Sequence, residues 1–274
     1  MLGSMSQNFT ELTGVPSTLL LPLRGRADEQ AYAHALFQDP LAVEWLELLP
    51  LNNELDAFYT NHSKVGNILT AIRTYHHDKI ALHHIANHSH PVIVELGAGL
   101  STRFHRIGKN ADLWLDLDLP VVTELRSKLD IQTQQHQFVS ASVMDFDWMD
   151  ILADVAPENI LFIAEGLLAY FEVDEVEQLI CMMRSCFPGA TLDVEILGNY
   201  AKISNKNFTK IGAPLKWFVK NEEDLTAMGL QLINVWSLYE LCPQRWPWQW
   251  QLLLKFLTQF PYFRNGYLIV ETKL

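Results

Sequence analysis

The sequence predicts an α/β protein, a seven-stranded, doubly wound sheet with an N-terminal helical cap and insertions on the ligand side. Three observations carry that expectation. Residues 92–96 (Val-Ile-Val-Glu-Leu) are an apolar run that closes on Gly97-Ala98-Gly99, the strand and glycine turn that open a nucleotide-type crossover. Residues 111–118, 137–143 and 159–164 are further apolar runs with acids at or just past their ends, alternating with helical or turn-forming stretches. Residues 160–164 carry no polar side chain at all, as expected of a parallel strand covered on both faces.

Each element follows in chain order. Residues 19–87 read as helices, one opened by Asp39-Pro40 with proline at the first helical position, another running near 63–85. The strand at 111–118 stops at Leu119-Pro120, and a helix at 121–129 follows. A helix at 173–187 and strands at 190–197, 230–236 and 267–273 complete the pattern. Insertions at about 198–220 and 240–265 follow strands, where doubly wound sheets place their ligands. The chain is read as one domain over residues 1–274, with a cap at 1–88 and a core at 89–274.

The turn narrows the ligand class. A dinucleotide fingerprint wants a third glycine three residues after the second, and that place holds Thr102. Glu95, two residues before the first glycine, is a poor neighbour for a pyrophosphate and a good one for a cation. S-adenosylmethionine (SAM), with its sulfonium and ammonium, fits better than a nicotinamide dinucleotide. Asp118 stands at the end of the second strand, about 20 residues past Gly97, where a ribose diol is gripped. Asp116 shares its alternation and is the fallback; either acid could merely cap the turn. Asp145 and Phe146 suit an adenine amino group and ring, unless Asp145 or Asp147 simply caps a helix. Glu165, an acid closing a buried run, needs a partner, either a ligand ammonium or an internal ion pair.

Taken in order, Glu95-Leu-Gly-Ala-Gly-Leu-Ser-Thr-Arg-Phe, Asp116-Leu-Asp-Leu-Pro, Ser142-Val-Met-Asp-Phe and Ala164-Glu-Gly-Leu-Leu-Ala-Tyr-Phe resemble the successive motifs of the leucine carboxyl methyltransferase family. The match is strongest with its branch of tetracenomycin-type carboxyl O-methyltransferases in bacterial polyketide biosynthesis. The resemblance implies a Rossmann-like SAM-dependent methyltransferase fold and an enzyme that methylates a carboxylate or hydroxyl of a small, aromatic or polyketide-like metabolite, and the lack of a membrane-length apolar run or leader-like start leads us to expect a cytoplasmic chain. A protein C-terminal carboxylate is the alternative acceptor, and a nicotinamide-dependent oxidoreductase the alternative class. By carry-over, Gly97 and Gly99 face the methionine part of SAM, Asp118 the ribose, Asp145 and Phe146 the adenine, and Glu165 the methionine end. Arg73 matches a basic residue that meets the SAM carboxylate, and a second such contact falls near Arg24 or Arg26.

Composition agrees. The 274 residues are 49% hydrophobic with a net charge of −12 and no basic run, which argues against nucleic acid as substrate. No apolar run reaches membrane-spanning length. Cys181, Cys186 and Cys242 read as reduced core thiols. The histidines crowded at 76–90 lack ligand spacing, so they read as a polar helix flank and no metal is expected. Trp246, Trp248, Trp250, Phe256, Phe260, Tyr262 and Phe263 either line an acceptor pocket or pack the insertion onto the body. No base motif stands out, with Tyr170, Tyr200 and His62 only weak candidates, which favours a carboxylate acceptor. Nothing in the sequence sets the oligomeric state.

Overall fold

The computed structural model describes residues 14–49 and 53–274. Its centre is one mixed sheet of β1 (Val92–Leu96), β2 (Leu113–Asp118), β3 (His136–Ser140), β4 (Ile160–Ala164), β5 (Thr191–Leu197), β6 (Gln231–Ser237) and β7 (Tyr267–Lys273). The strand order is β3-β2-β1-β4-β5-β7-β6, with β7 antiparallel to both of its neighbours. Strands β1, β2, β3 and β4 are parallel, so their carboxyl ends lie along one edge, and the strand order reverses between β1 and β4, where such sheets bind ligands. Strand β3 stops at Ser140, three residues short of its expected end, because Ser142 to Asp145 folds into a turn.

The helices are α1 (Leu20–Glu29), α2 (Pro40–Leu48), α3 (Asn53–Asn87), α4 (Arg103–Ile107), α5 (Pro120–Arg126), α6 (Val173–Cys186), α7 (Asn205–Lys210), α8 (Glu223–Ala227), α9 (Trp248–Leu257) and α10 (Pro261–Arg264). Asp39 caps α2 by accepting from the Ala42 amide at 3.1 Å, with Pro40 at the first position. Helix α3 runs 35 residues without a break, ten residues earlier than its apolar spacing suggests. Among the described residues no helix is long and apolar enough to cross a membrane.

Strand alternation divides the core in two. Val94, Leu96, Leu115, Phe162 and Leu192 pack with Val176, Leu179, Ile180 and Met183 of α6. Ile93, Trp114, Leu161 and Ile163 meet Ile68, Ile72, Ile80 and Ile85 of α3 on the other face. A third cluster joins Leu20 and Leu23 of α1 and Trp45 of α2 to Leu100, just past the glycine turn. Two expectations change here. Cys181 and Cys186 are exposed, since the core face of α6 is filled by four other residues, so they are free thiols outside the core. The histidines are no solvated flank either: His76, His77 and His84 are buried where α3 crosses the sheet, and only part of the cluster faces out.

The face under α3 also explains the acids that alternate along the strands. Asp116, Asp193 and Glu195 are buried and answered by basic or histidine side chains. Asp116 meets Arg126 and His136, each at 2.6 Å; Asp193 meets His77 at 2.6 Å; Glu195 meets Arg73 at 3.3 Å.

Candidate functional site

The glycine turn is tight for a reason that lies in its neighbours. Gly97 has φ +65° and Gly99 φ +54°, a region that costs other residues on the order of 1–2 kcal/mol. A Cβ on Gly97 would sit 2.7 Å from Leu167 Cδ1 in the loop leaving β4, so the turn is pressed against that loop. Asp118 joins them from β2. Its Oδ2 accepts from the Gly99 amide at 2.6 Å and its Oδ1 from the Leu119 amide at 2.7 Å. Burial raises the Asp118 pKa, and the two amides hold it back. Asp116 cannot replace it, because its carboxylate is 1% exposed and taken by Arg126, His136 and the Trp114 indole.

At the end of β3, Asp145 is exposed and its Oδ2 accepts from the Ser142 amide at 2.9 Å. Phe146 holds a left-handed φ of +58°, a strained conformation for a phenyl residue that the surrounding turn must enforce. Neither Asp145 nor Asp147 caps the following helical turn, Asp147–Leu152, whose cap position is Phe146 itself.

The end of β4 opens into a network of buried charge. Glu165 Oε1 lies 2.9 Å from Arg73 Nε of α3, and its Oε2 accepts from Arg103 of α4. Arg103 donates also to Asp78, at 2.8 Å, and to Glu95. Arg73 donates to Tyr267 Oη at 3.0 Å, and that phenol donates to Glu195 at 2.6 Å. Arg106 bridges Asp78 and Asp39, and Arg26 bridges Asp39 and the Leu100 carbonyl at 2.6 Å. Burial opposes ionisation of Glu165, but Arg103 and Arg73 outweigh it and hold its carboxyl well below the usual range. The network comes to the surface at one place: the Arg73 and Glu165 side chains are 14% and 15% exposed, against 2% for Arg103.

Several sequence-derived candidates thus converge. Gly97, Gly99 and Asp118 form one hydrogen-bonded turn, and Arg73 and Glu165 form one ion pair beside it, with Gly166 packed on the Arg73 guanidinium. Glu95 is near them but committed to Arg103 and to the Ser101 hydroxyl at 3.0 Å. Arg26 ties α1 to the turn, and Arg24 is half-buried on the same helix. Sequence reasoning missed Arg103, Asp78, Glu195 and Tyr267. The only local hint was the pair of acids two apart in the apolar run of β5.

The cap and insertions close around this edge. Leu19 lies against Gly99, Tyr170 Oη donates to Thr18 Oγ1 at 3.3 Å, and Arg245 clamps Glu29 at 2.7 Å while stacking 3.7 Å over Tyr32. Tyr200 packs edge-on with Tyr262 and Phe263. Of the insertion's aromatics, Trp246 is buried, Phe263 is partly so, and Trp248, Trp250, Phe256, Phe260 and Tyr262 are exposed. Burial raises the phenols of Tyr170, Tyr267 and Tyr239, the last to about 12, so they stand as donors. The side chain of His62 lies outside the described residues. Among the described residues, one trio of ligand-type side chains, His105, Asp130 and His136, converges within 4.8 Å, with the Arg126 guanidinium 3.4 Å from Asp130.

Comparison with known proteins adds the family. A family model described as leucine carboxyl methyltransferase matches residues 20–184. The tetracenomycin polyketide synthesis O-methyltransferase TcmP of Streptomyces glaucescens is 29% identical over 236 residues, covering 84% of this chain and 85% of the relative. Among solved structures, a 1,6-didemethyltoxoflavin-N1-methyltransferase of Burkholderia thailandensis has a TM-score of 0.47 and 14% identity, covering 82% of this chain and 92% of the other. An S-adenosylmethionine dependent methyltransferase of Mesorhizobium loti has a TM-score of 0.49 and 15% identity, covering 71% and 96%.

Proposed function

The chain belongs to the leucine carboxyl methyltransferase family, and from that premise we propose that it carries the methyl group of SAM to a carboxylate of a small aromatic or polyketide-like acid. One observation carries the cofactor site. The Arg73–Glu165 pair, a cation beside an anion at the exposed end of the network, complements the carboxylate and ammonium of an amino acid. The charge balance fits as well. Among the described residues of the network, Arg26, Arg73, Arg103 and Arg106 face Asp39, Asp78, Glu95, Glu165 and Glu195, one carboxylate in excess. Arg73 Nε is buried and finds no hydrogen-bond partner among those residues, although Glu165 lies close.

In this reading Gly97 and Gly99 present bare backbone to the methionine part, Asp118 takes the ribose, and Asp145 and Phe146 take the adenine. Glu165 meets the ammonium and Arg73 the carboxylate. Glu95 acts one layer back, fixing Arg103 against Glu165. The same reading keeps residues 1–88 as a cap on a core at 89–274, in one methyltransferase domain. SAM supplies an activated methyl group on a sulfonium. The residues' share is orientation and exclusion of water, for which the cap is anchored at Arg26 and Glu29. A carboxylate acceptor is already a nucleophile and needs no base, which agrees with the raised pKa values of the Tyr170, Tyr239 and Tyr267 phenols. The homology to a polyketide-synthesis O-methyltransferase supports the acceptor class.

The test is incubation with SAM and matched panels of aromatic carboxylic acids and phenols, read by mass spectrometry. Expected products are methyl esters that mild alkali cleaves. Alkali-stable methyl ethers alone would overturn the carboxylate assignment.

A further inference from the structure

We propose that α9 is the seam of a homodimer. On this ten-residue helix only Leu254 is buried, and most of the exposed side chains are apolar, with Gln249, Gln251 and Lys255 the polar ones among them. Trp248, Leu252 and Phe256, four residues apart, are 67%, 64% and 57% exposed. Phe260 continues the row, its ring edge-on to Phe256 with centroids 5.5 Å apart. Such an i, i+4 row is a ridge, the element that interdigitates when two helices pack.

Area and charge point to a second copy as the occupant. With Leu253 and Tyr262 beside it, the ridge leaves on the order of 700 Å² of large apolar side chain in water, taking about 200 Å² for each and the exposures of this structure. The largest patch on an ordinary monomer is about 300–600 Å², and each partner of a standard interface gives about 800 Å². A chain of net charge −12 repels its own copy except where acids are missing. Residues 247–263 contain no acid and one lysine, Lys255. A two-fold axis across α9 sets ridge against ridge, so one patch serves both protomers. The same negative charge disfavours anionic lipid as the partner.

Sedimentation velocity on the full chain from about 1 to 100 μM tests the assignment at concentrations that span ordinary homodimer affinities. The wild type is expected to dimerise. The double variant L252E/F256E is expected to weaken dimerisation by about a hundredfold or more, as for charged groups buried in an interface core. Isothermal titration with SAM serves as the folding control, since neither residue belongs to the cofactor site. A wild-type chain that stays monomeric at 100 μM overturns the proposal. In that case, pelleting with phosphatidylcholine vesicles assigns the ridge to a lipid surface. A dimer unaffected by the double variant also overturns it.

Discussion

Replacing Glu165 by glutamine removes one charge from the exposed end of the network while keeping shape. The structure sets the expected cost to folding. Arg73 keeps Glu195 at 3.3 Å and the Tyr267 hydroxyl at 3.0 Å, and Arg103 keeps Asp78 at 2.8 Å as well as Glu95. Neither guanidinium is stranded, so stability should fall by about 1–2 kcal/mol, well short of the roughly 3–5 kcal/mol seen when a buried charge loses its only partner. For a chain of this length that is a Tm drop of several degrees. Cofactor binding should suffer more. A lost hydrogen bond between charged groups is worth about 1.5–3 kcal/mol, so SAM affinity should fall roughly ten- to 150-fold. Because Arg103 and Arg73 hold the Glu165 carboxyl far below its ordinary range, its contribution to wild-type affinity should be flat between about pH 5 and 8. Calorimetric titration with SAM, together with a thermal melt, reads both quantities. A folded E165Q variant that binds SAM within twofold of wild type refutes the assignment.

Three further outcomes are expected. Gly97→Ala forces a side chain into a left-handed turn and onto Leu167, and should abolish SAM binding, whereas Gly189→Ala at φ +87° has open space and should cost stability alone; equal SAM affinity in the two variants counts against the turn as the site. Asp118→Asn should weaken adenosine binding by about tenfold, a loss that E165Q should not share, since adenosine lacks the ammonium; competition titrations separate the two. Burial lowers the pKa of His76 to about 3 and of His84 to about 4, so the unfolded chain takes up protons first as pH falls below about 6.5. Each should therefore withdraw about 1.4 kcal/mol per pH unit down to its own folded value. His77, raised through Asp193 against burial, acts oppositely: its contribution is whole below about 6.5 and fades as pH climbs through its folded pKa. Urea midpoints from pH 8 to 4.5 should fall toward acid in the wild type and less so in His84→Gln, and a flat profile would contradict the buried placement of these rings.

The sheet was legible because parallel strands buried on both faces read as apolar runs, and β1 and β4 lie within a residue of where those runs place them. The end of β3 was not, because a turn closed by Asp145 onto Ser142 preserves the apolar composition of a strand while breaking its ladder. The α3 histidines failed for another reason. Whether His77 faces water depends on Asp193, an acid more than a hundred residues away on β5, and local spacing carries no record of that partner. The insertion's aromatics share the difficulty, since a ring-rich helix looks the same whether its neighbours are its own body or another molecule.

The charges show the limit most sharply. Glu95, Asp116, Asp118 and Glu165 all look alike in the sequence, acids at or near strand ends beside a glycine turn. The counter-charges of Glu95, Asp116 and Glu165 come from α3, α4 and α5, while Asp118 is held by two backbone amides, and only the fold brings Arg103 to Glu95 and Arg126 to Asp116. An acid so matched is committed inside the protein, and burial still weighs on it, raising the Glu95 pKa against the pull of Arg103. Glu165 differs in its place: its side chain is 15% exposed, against 5% for Glu95 and 1% for Asp116, where the cluster meets solvent. In the function proposed above, the attraction for a cationic cofactor belongs to the assembled network, with Glu165 at its edge and Glu95 one side chain deeper.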